Sequence, residues 1–254
     1  MSVYHSFFSP QFPNTHHRNK EVILKKIGII GGLGPEATID YYRIIIESYR
    51  EKTKGGFPAI IINSLDMSEF SCMMMKAREL DKTTKWLANA VTSLHRAGAD
   101  FALIASNTPH IMFNEVKALS SIPMLSIVEE TCNVADKLGL KKIGLLGTKI
   151  TMSADFYQKV FSKKNISIVV PSKQEQDYIH KKLVTEILFN KISEQTHTKL
   201  LTIIKNMIDR AQIQGVVLGC TELPLILTKD EFGIPFLNTT KIHAESAVRY
   251  CLKD

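Results

Sequence analysis

The sequence predicts an α/β fold made of two similar domains, each with a mainly parallel four-stranded sheet flanked by helices. Short, continuously apolar runs alternate with longer helical patterns, which is typical of parallel strands covered on both faces. Similar segments also recur in the same order, roughly 112 to 116 positions apart. The recurring pairs are residues 25–32 and 141–148, 99–110 and 213–224, and 121–126 and 233–238. This ordered recurrence indicates a duplicated unit.

Residues 25–128 are the first predicted domain. The strands are its short, apolar and largely β-branched runs, predicted at residues 26–30, 59–63, 101–105 and 124–127. Helical patterns between them predict helices over residues 36–52 and 76–97. Pro35 suits the first turn of the earlier helix, because that turn needs no N–H from it. Parallel strands joined in this way require right-handed crossovers.

Residues 129–238 are the second predicted domain. Its strands are predicted at residues 142–146, 167–170, 215–219 and 235–238, and its helices at residues 153–161, 175–191 and 197–214. Two further helices, residues 129–138 and 241–252, each follow the last strand of a unit. We expect the first of these to pack on the second domain. The C-terminal helix, within residues 239–254, is expected to pack on the first domain and so tie the two together.

Composition excludes several classes of protein. The 254 residues are 44% hydrophobic, enough for sizeable cores, and the net charge of +7 comes from scattered Lys and Arg without a nucleic-acid-binding motif. The longest apolar runs are too short to span a membrane. The four cysteines lack metal-ligand spacing, and residues 1–24 show no secretory signal pattern. We therefore expect a cytoplasmic protein with free thiols, no metal and a flexible tail at residues 1–24.

Polar residues and glycines follow the predicted strands at their carboxyl ends. Ligands of open parallel sheets bind at these ends, so two such edges facing each other would enclose an active-site cleft between the domains. The residues predicted to line this cleft are Gly32, Leu33, Ser64, Ser106, Asn107, Thr108, Thr148, Cys220 and Thr221.

Cys220 is the leading candidate for catalysis. It follows a buried strand and precedes a helix or tight turn, where backbone amides and a helix N-terminus would lower the pKa of its thiol. Thr221 can donate its hydroxyl to an anion there. A buried, inert cysteine is the alternative for Cys220, and it is the interpretation we adopt for Cys72, Cys132 and Cys251, which lie on predicted helices.

The stretch SNTPH, residues 106–110, is the corresponding candidate in the first half. Asn107 and Thr108 could bind a carboxylate through side-chain and backbone donors, although the same sequence also suits a plain turn with a helix cap. His110 is a possible auxiliary acid or base, and a structural role is equally open.

The glycine loop carries a competing signal. Residues 32–37 satisfy the G-x-G-x-x-A pattern of dinucleotide-binding loops after a strand. Pro35, however, removes an amide from the turn that would face a phosphate. The nearest acidic residue at a strand end, Asp66, lies farther along the chain than the usual spacing of about 20 residues. The loop could instead hold the carboxylate of a small substrate.

Five stretches together resemble the aspartate/glutamate racemase family: IGIIGGLGPEAT, SNTPH, IPMLSIVEET, KKIGLLGT and GCTEL. The resemblance implies two similar α/β domains with the active site in the cleft between them. It also implies racemisation of a free amino acid without a cofactor, and frequently a homodimer. Members of the family carry one cysteine in each half, which suits a reaction that removes a proton from one face of a carbon and delivers one to the other.

This sequence departs from the two-cysteine pattern, because Ser106 stands where the first cysteine would be. A hydroxyl is a far poorer base than a thiolate. We therefore expect Cys220 to abstract the proton and Ser106 to sit on the reprotonating face. Because the second cysteine of the family serves the L-enantiomer, the resemblance implies that L-amino acids are the better substrates.

The substrate side chain is less closely defined. Asp177 lies where the family places a lysine for the side-chain carboxylate, although Asp177 could equally be a solvated helix residue. If it faces the cleft, a neutral or cationic substrate side chain would suit it better than a second carboxylate. The prediction is therefore an amino-acid racemase in general. Three alternatives stay open: a single-cysteine decarboxylase or isomerase of a small dicarboxylate, a silent small-molecule binding protein, and a nucleotide-binding oxidoreductase.

Overall fold

The computed structural model describes residues 24–77 and 79–253. The tail predicted at residues 1–24 lies outside the described residues except for Leu24.

Two four-stranded parallel sheets form the framework. The first has the order β2-β1-β3-β4 and the second the order β6-β5-β7-β8, and every pairing within them is parallel. The strands are β1 Ile27–Gly31, β2 Ile60–Ser64, β3 Phe101–Ile104, β4 Met124–Leu125, β5 Lys142–Gly147, β6 Ser167–Val169, β7 Gly215–Gly219 and β8 Phe236–Asn238. The identical order in the two halves is the one a duplicated unit produces, and the predicted fold class is confirmed.

Helices cover both faces of each sheet. They are α1 Pro35–Thr53, α2 Met67–Ser71, α3 Leu80–Arg96, α4 Phe113–Ala118, α5 Ile127–Lys137, α6 Lys149–Ser153, α7 Phe156–Phe161, α8 Lys173–Thr185, α9 Glu194–Ala211 and α10 Thr239–Cys251. A π-helical turn at Cys72–Ala77 and short 3₁₀ turns complete the elements. Within the described ranges, none of these helices has both the length and the apolarity needed to cross a membrane.

The helix predicted at residues 153–161 is two helices in the structure. The hydroxyl of Thr148 accepts a hydrogen bond from the Thr151 amide, so α6 begins directly after β5. Ala154 is extended and ends α6, and α7 then begins at Phe156. A helix of five residues is too short to show periodicity, so the sequence pattern detected only its neighbour.

Caps also move the limits of α8, predicted at residues 175–191. Ser172 and Glu175 form a reciprocal capping box that begins the helix at Lys173. The helix ends at Thr185, and Asn190 in a left-handed conformation closes the 3₁₀ turn that follows. The helix predicted at residues 76–97 begins at Leu80 in the structure, because α2 and the π-helical turn occupy the chain before it.

The last helix of each half packs on the sheet of the other half. Helix α5 follows β4 but contributes to the hydrophobic cluster on β5 and β7, formed by buried residues that include Ile127, Val128, Cys132, Ile143, Leu145 and Val217. Helix α10 follows β8 but packs on β1 and β3 together with α1, in a cluster that includes Ile29, Tyr41, Ile45, Leu103, Ala244 and Val248. This exchange holds the two sheets together through apolar contacts.

His243 of α10 is fixed within this exchange. Its Nε2 donates to the Leu125 carbonyl at 3.1 Å, so its Nδ1 must be the acceptor for the Tyr41 hydroxyl at 2.9 Å. The ring is fully buried, and desolvation together with the neighbouring His110 lowers the pKa of His243 to about 3. The folded protein therefore keeps this imidazole neutral.

The neutral His243 predicts a loss of stability in weak acid. The folded-state pKa lies below the unfolded value of about 6.5, so the contribution of this group is present above that value and declines as the pH falls. Between pH 7 and pH 5, His243 should account for a loss of roughly 2 kcal/mol in the free energy of unfolding. Urea titrations at both pH values would measure it. The His243→Gln variant, although less stable at pH 7, should lack this increment, and an unchanged pH dependence would contradict the assignment.

Candidate active site

A solvent-open cavity of about 550 Å³ lies where the carboxyl edges of the two sheets face each other. The loops after β1, β3, β5 and β7 all contribute to it, as the cleft prediction required. The predicted site residues that line it are Leu33, Ser106, Asn107, Thr108, Thr148, Cys220 and Thr221. The structure therefore brings the two stretches SNTPH and GCTEL, more than a hundred positions apart, to one site.

Four predicted site residues lie outside the lining, namely Gly32, Ser64, Asp177 and His110. Gly32 has φ +80°, and a Cβ there would fall 2.1 Å from the Leu65 carbonyl oxygen, so the glycine allows a tight turn. Ser64 is exposed at the end of β2. Asp177 is also exposed and forms an ion pair with Lys149, with 2.6 Å between Oδ1 and Nζ. The solvated interpretation of Asp177 is thus the one that agrees with its position.

His110 lies behind Ser106 rather than in the cavity. Its Nε2 accepts from the Ile127 amide at 3.2 Å, so Nδ1 carries the proton and donates to the Ser106 carbonyl at 2.9 Å. Burial lowers the pKa of His110 to about 4. With both nitrogens occupied and its contact made to the backbone of Ser106, His110 holds the loop and has no free nitrogen for the substrate.

Asn107 ties the first-domain loop to the second domain. Its Oδ1 accepts from the Tyr157 hydroxyl at 2.6 Å, and its Nδ2 donates to the Thr239 hydroxyl at 3.1 Å. Thr239 in turn donates to the Leu218 carbonyl at 2.8 Å, at the end of β7. Burial raises the pKa of Tyr157, which therefore remains a donor. The loop that carries Ser106 is held in place by these bonds.

Three threonine hydroxyls form a second link across the cavity. Thr108 lies 3.1 Å from Thr148 and 3.4 Å from Thr151, and Thr148 lies 3.0 Å from Thr151 between their Oγ1 atoms. Thr108 and Thr148 both line the cavity. Hydroxyls can donate to a carboxylate, so this cluster is suited to an anionic group of a ligand.

The environment of Cys220 differs from the predicted one. Its pKa is raised well above the usual thiol value, first by desolvation and then by the Glu222 carboxylate, and these effects outweigh the amides of Thr221 and Glu222. The thiol donates to Glu222 Oε2 across 2.9 Å. The prediction of a lowered pKa was wrong because burial of the thiol and the neighbouring Glu222 carboxylate outweigh the backbone amides of the turn.

Glu222 is the principal site residue that sequence reasoning missed. It is buried, lines the cavity and also accepts from the Thr221 hydroxyl at 2.9 Å. A Cβ on Gly34 would lie 2.8 Å from Glu222 Oε1, so the glycine leaves space for this carboxylate. The signal was present in the sequence, since a carboxylate two positions after a candidate thiol is placed to exchange a proton with it.

The Gly34 contact also gives the glycine loop a role other than nucleotide binding. The Gly32 amide donates to the Thr38 hydroxyl at 2.9 Å, and Pro35 at the first turn of α1 has no amide to offer. Thr38 also donates to the Gly34 carbonyl at 3.3 Å. These amides are therefore not arranged to hold a pyrophosphate, and the loop serves the close approach of the two domains at Glu222.

The rest of the lining is largely apolar. Met67 and Phe70 come from α2 of the first domain, while Leu183, Val184 and Leu188 come from α8 and the turn after it. Asp66 caps α2 by accepting from the Ser68 amide at 2.6 Å, which fixes the start of this helix beside the cavity. In the sequence, the signal for α2 was the capping Asp66 followed by two apolar residues three positions apart, Met67 and Phe70.

Duplicated parallel sheets with a cavity between their carboxyl edges, and a thiol and a hydroxyl at equivalent strand ends, define a two-domain α/β protein with a candidate active site between its halves. A family model described as Asp/Glu/Hydantoin racemase matches residues 30–247. The chain therefore belongs to the Asp/Glu/hydantoin racemase family, a family of amino-acid racemases.

Individual relatives agree with this assignment. The chain is 27% identical over 227 residues to the broad specificity amino-acid racemase RacX of Bacillus subtilis, covering 87% of this chain and 96% of the relative. A solved aspartate racemase homologue from Pyrococcus horikoshii is 34% identical, with a TM-score of 0.78 over 91% of this chain and 100% of that one. A candidate Asp/Glu racemase from Yersinia pestis is 31% identical, with a TM-score of 0.84 and the same coverage.

The contact between Cys220 and Glu222 predicts how the thiol reacts. Glu222→Gln removes the negative charge that raises the thiol pKa, so more thiolate should be present at pH 8. Alkylation of Cys220 by iodoacetamide should then become faster, because the thiolate is the form that reacts. Peptide mass spectrometry would separate this modification from that of exposed Cys72. Glu47→Gln, an exposed change on α1, is the matched control, and equal alkylation rates in both variants would refute the role of Glu222.

Proposed function

We propose that the protein racemises a free amino acid without a cofactor, using Cys220 and Ser106 on opposite faces of the α-carbon. The observation that carries the proposal is that these two residues follow the equivalent strands β7 and β3 and line one cavity. Racemisation needs one group on each face, and a duplicated fold supplies one from each half. Membership of an amino-acid racemase family supports the same conclusion.

Cys220 acts together with Glu222 in this proposal. The free enzyme holds a protonated thiol that donates to the carboxylate. Among the described residues, Glu222 is the ionised side chain of the lining, so the ammonium group of a bound amino acid enters a cavity of opposite charge. That positive charge favours loss of the thiol proton to solvent by way of Glu222, because it offsets the negative charge of the thiolate that remains.

The proton transfers then balance. The thiolate takes the α-proton of the substrate and becomes a thiol again, leaving a carbanion stabilised by its carboxylate and the surrounding donors. Thr108, Thr148 and Thr221 are the hydroxyl donors of the lining available to that carboxylate. The carbanion takes a proton from the Ser106 hydroxyl on the other face, and a water molecule replaces the proton of Ser106. The hydroxide ion left by that water is neutralised by the proton that the thiol released to solvent.

The two directions are unequal in this scheme. Removing the α-proton of an L-amino acid uses a thiolate, whereas removing it from a D-amino acid uses a hydroxyl, which is a far weaker base near neutral pH. We therefore propose that the L-enantiomer is the better substrate. On the family resemblance we also propose a cytoplasmic homodimer, and light scattering after size-exclusion chromatography tests its oligomeric state.

Replacement of Cys220 tests the proposed base. In ²H₂O, proton NMR should show loss of the α-proton signal from an L-amino acid incubated with the protein and no added cofactor. Cys220→Ala should slow this exchange by about 10² to 10⁴, the usual contribution of a general acid–base group. Cys132→Ala, which removes a buried thiol remote from the cavity, controls for loss of a cysteine as such. Exchange that persists in Cys220→Ala would exclude the mechanism.

Replacement of Ser106 tests the other face. Ser106→Cys supplies a second thiol and should raise α-proton exchange from the D-enantiomer about tenfold or more, because a thiol provides far more of the basic form near neutral pH. Exchange from the L-enantiomer should change much less. Ser106→Ala should abolish the α-proton exchange that the natural protein shows with the D-enantiomer. If neither variant alters the ratio of D-side to L-side rates, Ser106 does not face the substrate.

A further inference from the structure

We infer that the substrate of this cavity carries a neutral, apolar side chain of the aliphatic or thioether type, and not a second carboxylate. The inference rests on the proposed racemase function and extends it to the substrate class. It depends on how the cavity lining divides between polar and apolar groups.

The reacting groups leave a defined part of the lining for the side chain. In the proposed reaction the α-carbon lies between Ser106 and Cys220, and the α-carboxylate takes the hydroxyl donors beside them. The α-ammonium is attracted to the Glu222 carboxylate. What remains for the substrate side chain is a set of apolar groups contributed by both domains, namely Leu33, Met67, Phe70, Leu183, Val184 and Leu188.

This apolar set favours burial of a hydrocarbon or thioether chain. Phe70 and Leu183 are almost completely buried, and Met67 is partly buried. Transfer of apolar substrate atoms from water to such a surface is favourable, and the gain grows with each CH₂ group that is buried. Val184, 40% exposed, places the apolar set next to solvent, so a side chain several carbons long can extend towards it.

Charge argues against a second carboxylate at the same place. Among the described residues, the lining contains no Lys, Arg or His, and its ionised group is the acidic Glu222. A buried carboxylate without a cationic partner or enough hydrogen bonds is costly, and a like charge nearby adds to that cost.

Among the described residues, two cations that neighbour lining residues in the sequence are already engaged. Lys149, next to the lining residue Thr148, is paired with Asp177 at 2.6 Å on the exposed surface. Lys182, next to Leu183, is paired with Glu186 one turn further along α8. Both ammonium groups lie outside the lining and have carboxylate partners of their own, so neither is arranged to receive the side-chain carboxylate of aspartate or glutamate.

Rates of α-proton exchange for a panel of amino acids test this inference. In ²H₂O, L-leucine and L-methionine should exchange their α-protons at least about tenfold faster than L-aspartate and L-glutamate. A tenfold ratio of rates corresponds to about 1.4 kcal/mol of discrimination. L-lysine belongs in the same panel. Faster exchange of aspartate, glutamate or lysine would overturn the inference while leaving the racemase proposal intact. Absence of exchange with every amino acid would overturn the racemase proposal, and the binding experiment below would then decide the substrate class.

A charge introduced into the apolar set should redirect the preference. Met67→Arg places a guanidinium beside Phe70, so the ratio of aspartate to leucine exchange should rise about tenfold or more. Leu119→Arg, at an exposed position beyond α4, adds the same charge away from the cavity and should leave the ratio unchanged. An equal ratio in both variants would place the substrate side chain elsewhere.

Binding to a catalytically inactive protein separates recognition from chemistry. Cys220→Ala retains the whole apolar set, so leucine or methionine should raise its melting temperature more than aspartate at equal concentration. A larger shift with aspartate would contradict the inference whatever the catalytic outcome. A shift with leucine but no exchange by the natural protein would support the substrate class of the cavity and count against the racemase function.

Discussion

The hydrogen bonds of the Asn107 amide connect the two halves of the molecule at its functional edge. One end of the amide binds Tyr157 of α7 and the other binds Thr239 of α10, both in the C-terminal half of the chain. Buried, directional bonds of this kind fix a loop more closely than apolar contact alone. Because Ser106 precedes Asn107, its position relative to β7 and Cys220 depends on this connection. Asn107, Tyr157 and Thr239 are almost completely buried, which keeps water away from these bonds.

A second constraint acts at the charged end of the cavity. Glu222 lies against Gly34 of the opposite domain and accepts from the thiol of Cys220. Glu222 thus accounts for Gly34, which resembles part of a nucleotide-binding loop. It also accounts for the thiol of Cys220 remaining protonated. In the proposed reaction this carboxylate attracts the ammonium group of the amino acid, while the apolar set offers the rest of the substrate no such charge.

Sequence patterns were most informative where periodicity and burial agree. Strands β1, β3, β5 and β7 are buried throughout apart from the first residue of β5, so their continuous apolar runs marked them within a residue or two. Helices were less closely defined, because their ends depend on caps such as Ser172 and Thr148 and not on periodicity. Helix α2 was missed because five residues give too short a pattern, although it supplies Met67 and Phe70 to the cavity.

The sequence by itself determined the duplicated α/β plan and the identity of the strand-end residues, because alternating apolar runs and repeated motifs are local properties of the chain. Tertiary structure alone decided which of those residues share a cavity and what charge surrounds them. For both His110 and Asp177, the sequence left a functional role and a structural or solvated role equally open. Their contacts in the structure lie outside the cavity lining. The raised pKa of Cys220 likewise arises first from burial, which the packing of the whole chain decides, and then from the Glu222 carboxylate packed against Gly34 of the opposite half.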